Sequence, residues 1–467
     1  MKLSSLGLLF VASLSVEAFA PNANSMRSSS ARLSLTVGPA GKPASSAAED
    51  LELTREIIMG SLGGQAAAAA EEESAKEESS SASSSSEKVY TMPAPPANDL
   101  MIRAALGREP TERTPVWLFR QAGRHLPEYH AYKEKTGRSF LDMLNHPEDV
   151  AECTMQPCRR YPMDAAILFS DILVIAESLG IEVTMPGGVG ILVPNPLKGP
   201  EEVATRIPTM DAITSDFIAD SKLGIVLESV RQIRAKMVEE DISIPLIGFS
   251  GAPFTLMFYM IGGSSRKNLD SGMTWLNEHP EESTKLLDVL TKIIIEYMSA
   301  QVESGAHMLQ LFEAMGMMLE KKEFEEFALP CLEKIAIELK SRYPDVPLMV
   351  FARGACYANE KLSHMGFDVI TMDGEVERST ARDIVGDKTG LQGNYNPREL
   401  IPGVGEDGED KTADTVRASA KQLLDDLGPQ RLIANLGEGL GGKESPELVQ
   451  VFIDTIHEYS EELIKKD

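Results

Sequence analysis

Cysteine is scarce in this chain. Four residues, Cys153, Cys158, Cys331 and Cys356, are too few to staple 467 residues together, and their spacing matches no zinc motif. They read as free thiols in reduced or mildly redox-regulated surroundings, which argues against an extracellular setting. Basic residues are also short: 45 Lys and Arg stand against 71 Asp and Glu, for a net charge of -26. With no sustained basic face, nucleic acid is excluded as a partner. The apolar stretch 6–16 is too short for a comfortable membrane span, and no second one of transmembrane length follows, so the mature chain reads as soluble. Nor is any strand followed by a glycine turn placed for a dinucleotide, which weakens a doubly wound alternative.

What is present divides unevenly. Residues 1–20 carry a lysine, the apolar stretch and then small residues, the build of a signal peptide. Residues 21–97 begin with Arg27, Arg32 and Lys42 in a Ser/Ala-rich, acid-free stretch, then turn to Ala, Ser and Glu in a solvated, disordered linker. The run Val16-Glu17-Ala18-Phe19-Ala20-Pro21 resembles the cleavage region of bipartite leaders in algae with complex plastids, which implies delivery to a chloroplast stroma rather than simple secretion. Residues 98–467 then form one large domain.

In that domain short apolar runs alternate with helical patterns, the form of a parallel sheet with covering helices. Eight candidate strands are predicted: 116–119, 166–169, 246–249, 308–312, 348–351, 369–372, 390–392 and 432–435. Eight is the number that closes a (β/α)8 TIM barrel, and polar residues gather where these runs end: Arg120, Asp171, Ser250, Glu313, Arg353, Asp373, Asn394 and Glu438. Helical periodicity is clearest over 217–237, 281–302 and 447–464. The Gly- and Pro-rich stretch 181–207 lacks it and reads as an excursion, or a hairpin, over the second strand end.

The run Pro115-Val116-Trp117-Leu118-Phe119-Arg120-Gln121-Ala122-Gly123-Arg124-His125 ends an apolar strand on two arginines held by a glycine turn. Arg120 and Arg124 can grip carboxylates bidentately, and Gly123 lets backbone N–H groups approach the same anion; a surface loop with salt bridges would look alike. Asp171 emerges from the apolar run Ala165-Ala166-Ile167-Leu168-Phe169-Ser170, as a rim carboxylate or a helix cap. Tyr259 follows Phe254-Thr255-Leu256-Met257-Phe258 and reads equally as a site or a core tyrosine.

The arginine run, Phe169-Ser170-Asp171-Ile172-Leu173 and Gly248-Phe249-Ser250-Gly251-Ala252-Pro253 resemble the motifs of the uroporphyrinogen decarboxylase family, and the likeness runs from about Pro115 to the C-terminus. It implies a cofactor-free, metal-free carboxy-lyase that converts the four acetates of uroporphyrinogen III to methyls, giving coproporphyrinogen III for haem and chlorophyll, and a homodimer. The resemblance makes Arg120, Gln121, Ala122, Gly123 and Arg124 the carboxylate-holding turn, with one arginine in proton delivery. It makes Asp171 the acceptor for the pyrrole N–H groups, Tyr259 its neighbour, Phe312 an aromatic wall and Lys133 a stand-in for a family arginine. Three residues depart from the pattern: Ala314 replaces a serine, Asn396 an aspartate and Glu438 an active-site histidine. Ala314 and Glu438 keep a second reading open, a non-catalytic or regulatory tetrapyrrole-binding paralogue. A barrel methyltransferase with a corrinoid or zinc-thiolate site is a third.

Overall fold

The computed structural model describes residues 90–186, 191–263, 270–405 and 408–466. The leader and most of the linker lie outside them. Seven strands form one parallel sheet in chain order: β1 (Ala166–Ile167), β2 (Leu246–Gly251), β3 (Met308–Glu313), β4 (Leu348–Ala352), β5 (Val369–Thr371), β6 (Gly390–Gln392) and, last in the sheet, β9 (Leu432–Ile433). Between the last two, β7 (Gly403–Val404) and β8 (Asp410–Lys411) make a separate antiparallel pair.

The expected closed eight-stranded barrel is therefore not what forms; the sheet is an open, curled half-barrel of seven strands. The missing strand is 116–119, which contributes one bridge, Val116 with Ala434. Side chains have captured the donors a ladder would use. Val116 N–H donates to Asp164 Oδ2 (2.9 Å), Leu118 N–H to Gln121 Oε1 (3.1 Å) and Phe119 N–H to Asn435 Oδ1 (3.0 Å). The backbone is satisfied without a second strand partner. Curling is visible in the buried amides: Gln392 of β6 donates to Gln310 of β3 (3.0 Å) across two intervening strands and accepts from Trp117 Nε1–H (2.7 Å). Strands spaced about 4.8 Å apart in a flat sheet would not allow the first of these bonds.

Of the helices that matter for the site, two precede β1 and the rest come after it. They are α1 (Pro127–Thr136), α2 (Pro147–Arg160), α3 (Lys222–Glu239), α4 (Pro253–Gly262), α5 (Pro280–Ser304) and α6 (Pro446–Ile464). α5 starts on a proline with Glu281 and Glu282 in its first turn, where the helix dipole favours them, and ends at Gly305 with φ 124°. α6 is capped by Ser445, whose Oγ accepts from Glu447 and Leu448 N–H. The pattern over 217–237 is interrupted: Ser221 ends one helix, Ser215–Asp220, and caps α3 through Leu223 N–H. The excursion 181–207 carries the antiparallel bridge Thr184 with Leu192, and also a helix, Pro200–Arg206, that its glycines and prolines concealed.

Asp164, fully buried just before β1, ties distant parts together. It accepts from Arg113 through both oxygens (2.6 and 2.7 Å) and from Val116 N–H (2.9 Å), and it pairs with His457 of α6 (2.9 Å). Burial raises its pKa, but His457 and Arg113 outweigh that and bring it below 3.8. Asp164→Ala leaves partners unsatisfied and is expected to cost about 3 kcal/mol, read as a lower midpoint in urea. The folded pKa is depressed, so the carboxylate's contribution is full above about pH 4 and is lost as pH falls through the folded value.

Candidate active site

The Arg120 turn is fixed from below by its own sequence. Gln121 is fully buried; its Oε1 accepts from Leu118 N–H and its Nε2 donates to Ala165 O (3.0 Å), so its side chain braces the turn. Gly123 adopts φ 145°, which a side chain rarely tolerates, and Leu126 N–H closes back on its carbonyl (3.0 Å). Arg120 itself has φ 60°, an uncommon conformation for a residue with a side chain. The loop after β9 lies directly on it: Leu440 N–H donates to Phe119 O (3.0 Å), and a Cβ on Gly439 would fall 2.7 Å from Arg120 Cδ. Only a glycine there leaves room for the arginine stem.

Arg120 and Arg124 of one turn, Asp171 after β1 and Tyr259 of α4 are linked electrostatically. Arg120 touches solvent but stands in a recess crowded by protein atoms. Burial lowers its pKa, and the charges of Arg124 and Arg353 lower it further, against Asp171 and Tyr259. Asp171 is pushed up to about 6, chiefly by burial and then by Glu177, while Leu173 N–H, Arg120 and Lys222 pull it back. Its Oδ1 accepts from Leu173 N–H (2.8 Å), just ahead of the short helix Val174–Ser178. One oxygen thus closes a turn, and the charge of Arg120 acts on the group. Tyr259, on α4, is raised to about 12 by burial and by Asp171.

Phe312, the penultimate residue of β3, lies opposite Phe351 of β4 in register, and its ring meets Phe119 and Phe249 edge-on at 5.7 Å. Phe119, Phe249 and Phe351 are buried behind it, so Phe312 is the half-exposed face of an aromatic cluster. Ala314 is half-buried, and its N–H donates to Thr255 Oγ1 (2.8 Å), whose hydroxyl in turn donates to buried Glu313. Glu313 is raised to about 7 by burial and sits on the other face of the strand from Phe312. Lys133 projects from the last turn of α1 into solvent and makes no ion pair among the described residues. Half-buried Ala122 lines the turn.

Glu438 is paired with two arginines, Arg353 (3.2 Å) and Arg398 (3.2 Å). Asn396 caps the short helix Pro397–Leu400 by accepting from Arg398 N–H (3.1 Å). Arg353 and Arg398 were not among the expected site residues. Arg353 had a signal, since it ends a candidate strand; Arg398 had none.

Guanidiniums, a carboxylate and an aromatic cluster gather at the C-terminal side of the parallel sheet of an α/β protein. The chain belongs to the uroporphyrinogen decarboxylase family. The family profile, Uroporphyrinogen decarboxylase (URO-D), matches residues 96–459. The chain is 41% identical over 363 residues to the uroporphyrinogen decarboxylase of Salinibacter ruber, covering 78% of this chain and 96% of that one. It is 39% identical over 368 residues to that of Homo sapiens, covering 78% and 94%. Among solved structures it resembles a methyltransferase from Methanosarcina mazei, with TM-score 0.63 and 19% identity over 78% of this chain and 98% of that chain, a likeness of fold alone.

Proposed function

We propose that this site decarboxylates the acetate side chains of uroporphyrinogen III, with Asp171 as its electrostatic centre. Family membership makes the chain a carboxy-lyase of tetrapyrrole biosynthesis. The observation that carries the site reading is the placement of Asp171, recessed, in the field of Arg120 and beside Tyr259.

The chemistry needs a proton at the pyrrole carbon beside the one that bears the acetate, next to the ring nitrogen. That proton creates an iminium-like cation; the bond to the carboxylate breaks, carbon dioxide leaves, and the electron pair neutralises the cation. Protonation of the new exocyclic carbon and loss of the ring proton complete the methyl. The ring itself is the electron sink, so no cofactor enters these steps. Asp171 accepts from the pyrrole N–H groups and stabilises the cation more than the neutral ground state. Arg120 and Arg124 hold carboxylates, and one of them takes part in proton delivery. Phe312 closes the apolar side of the macrocycle.

Glu438 stands where the family resemblance puts a histidine, Ala314 where it puts a serine. The reading extends to plastid delivery, supported by the leader pattern of residues 1–48, and to the homodimer the resemblance implies. Among the described residues no helix is long and apolar enough to cross a membrane. The test is anaerobic incubation of the chain with uroporphyrinogen III and separation of the oxidised products by carboxyl number. Stepwise conversion from eight to four carboxylates is expected. Recovery of the intact octacarboxylate despite measurable binding would make this a tetrapyrrole-binding paralogue.

A further inference from the structure

Glu438 meets its surroundings through two cations, and each of its oxygens is taken by a different arginine: Oε2 by Arg353 and Oε1 by Arg398. Four backbone N–H bonds hold the segments that carry the trio. Arg353 N–H donates to Glu313 O (3.0 Å), and the next amide, Gly354 N–H, to Asp373 Oδ2 (2.8 Å). Asn396 fixes Arg398, and Gly437 N–H donates to Tyr395 O (2.9 Å), setting the loop that carries Glu438. The side chains remain open, at 40% exposure for Arg353, 33% for Glu438 and 53% for Arg398. Ion pairs this exposed add little stability, so the arrangement is poorly explained as a structural staple. It also adjoins the Arg120 turn: Gly439, the residue after Glu438, lies against the Arg120 stem, and Arg353 N–H bonds to Glu313, the neighbour of Phe312.

We propose that Arg353 is a further carboxylate-binding arginine of the cleft, and that Glu438 is a positioning residue that holds Arg353 and Arg398 apart with N–H donors left over for the substrate. A guanidinium has five donors, and one carboxylate oxygen uses few of them. The inference rests on the decarboxylase reading and explains how a chain of net charge -26 takes up a polyanion: arginines brought in from separate segments make a local positive focus. It also gives Glu438 a use at the rim that does not require it to face a substrate carboxylate.

The experiment compares wild type with Arg353→Gln, Arg353→Lys and Glu438→Gln in the full chain, by anaerobic kinetics and equilibrium binding of uroporphyrinogen III. Arg353→Gln is expected to raise KM and Kd roughly tenfold to a hundredfold, with kcat within about threefold, as for loss of a hydrogen bond between charged groups. Arg353→Lys keeps the charge and recovers part of that loss. Glu438→Gln decides between positioning and simple charge. Removing an anion from the rim would tighten polyanion binding if only net charge mattered, whereas a positioning role weakens it, about threefold to fivefold. An unchanged Kd in Arg353→Gln, or tighter binding in Glu438→Gln, overturns the inference. Wild type that binds but releases no carbon dioxide sinks the decarboxylase reading alone, since the Kd comparison still stands.

Discussion

Asp171→Asn is expected to abolish turnover while making the protein more stable at neutral pH. Asn keeps the acceptor that Leu173 N–H uses, so the turn before Val174–Ser178 is preserved and only the charge is lost. Removing a preorganised group of opposite charge to the transition state costs at least about a thousandfold in kcat. Binding of uroporphyrinogen III should change by less than about tenfold, because the arginines still grip its carboxylates. The gain in stability has the same origin as the catalytic power. Moving this carboxyl from 3.8 to about 6 reflects a buried anion that the fold tolerates at a cost. At full burial that cost would be about 3 kcal/mol, and partial contact with solvent brings it to about 1–2 kcal/mol. The folded pKa is raised, so the penalty is absent below about pH 4, grows between 4 and 6, and is complete above 6. Thermal melts of wild type and variant at matched pH should diverge across that window. A variant that melts lower at pH 7, or turns over normally, removes Asp171 from this role.

Most of the sheet was legible because parallel strands buried on both faces read as unbroken apolar runs. The segment 390–392 matches β6 to the residue, and 308–312 and 348–351 each fall one residue short of β3 and β4. The segment 116–119 has the same apolar signature and is not a strand. Nothing local distinguishes it, since the groups that capture its amides include Asp164 and Asn435, the second 316 residues away. The helix Pro200–Arg206 had start signals, a proline followed by Glu201 and Glu202, which the surrounding glycines and prolines outweighed. At the site, residue type and place after an apolar run singled out Arg120 and Asp171, whereas Tyr259 came with the family resemblance. Charge pairing was illegible: Arg353, a partner of Glu438, lies 85 residues before it in the chain. Gln121 shows the converse, a residue within the motif whose side chain is spent on holding the turn.

Arg120→Gly should lower kcat/KM by about a thousandfold or more while changing stability by less than about 1 kcal/mol. The loss follows from two charged hydrogen bonds to a substrate carboxylate, each worth about 1.5–3 kcal/mol. The small stability change follows from the backbone. At φ 60° a side chain costs about 1–2 kcal/mol, which glycine relieves, and glycine's extra freedom in the unfolded chain returns about 0.5–1 kcal/mol of it. Arg120→Lys keeps a charge and loses the planar fork, so it should fall between the variant and wild type. A third measurement separates binding from catalysis. Arg120 pulls the pKa of Asp171 down, against the burial that raises it to about 6. Without Arg120 the aspartate holds its proton to higher pH, so the acid limb of kcat/KM, expected near pH 6 in wild type, must move upward in Arg120→Gly. If the activity falls but the acid limb stays in place, Arg120 only binds, and its coupling to Asp171 plays no part in the reaction.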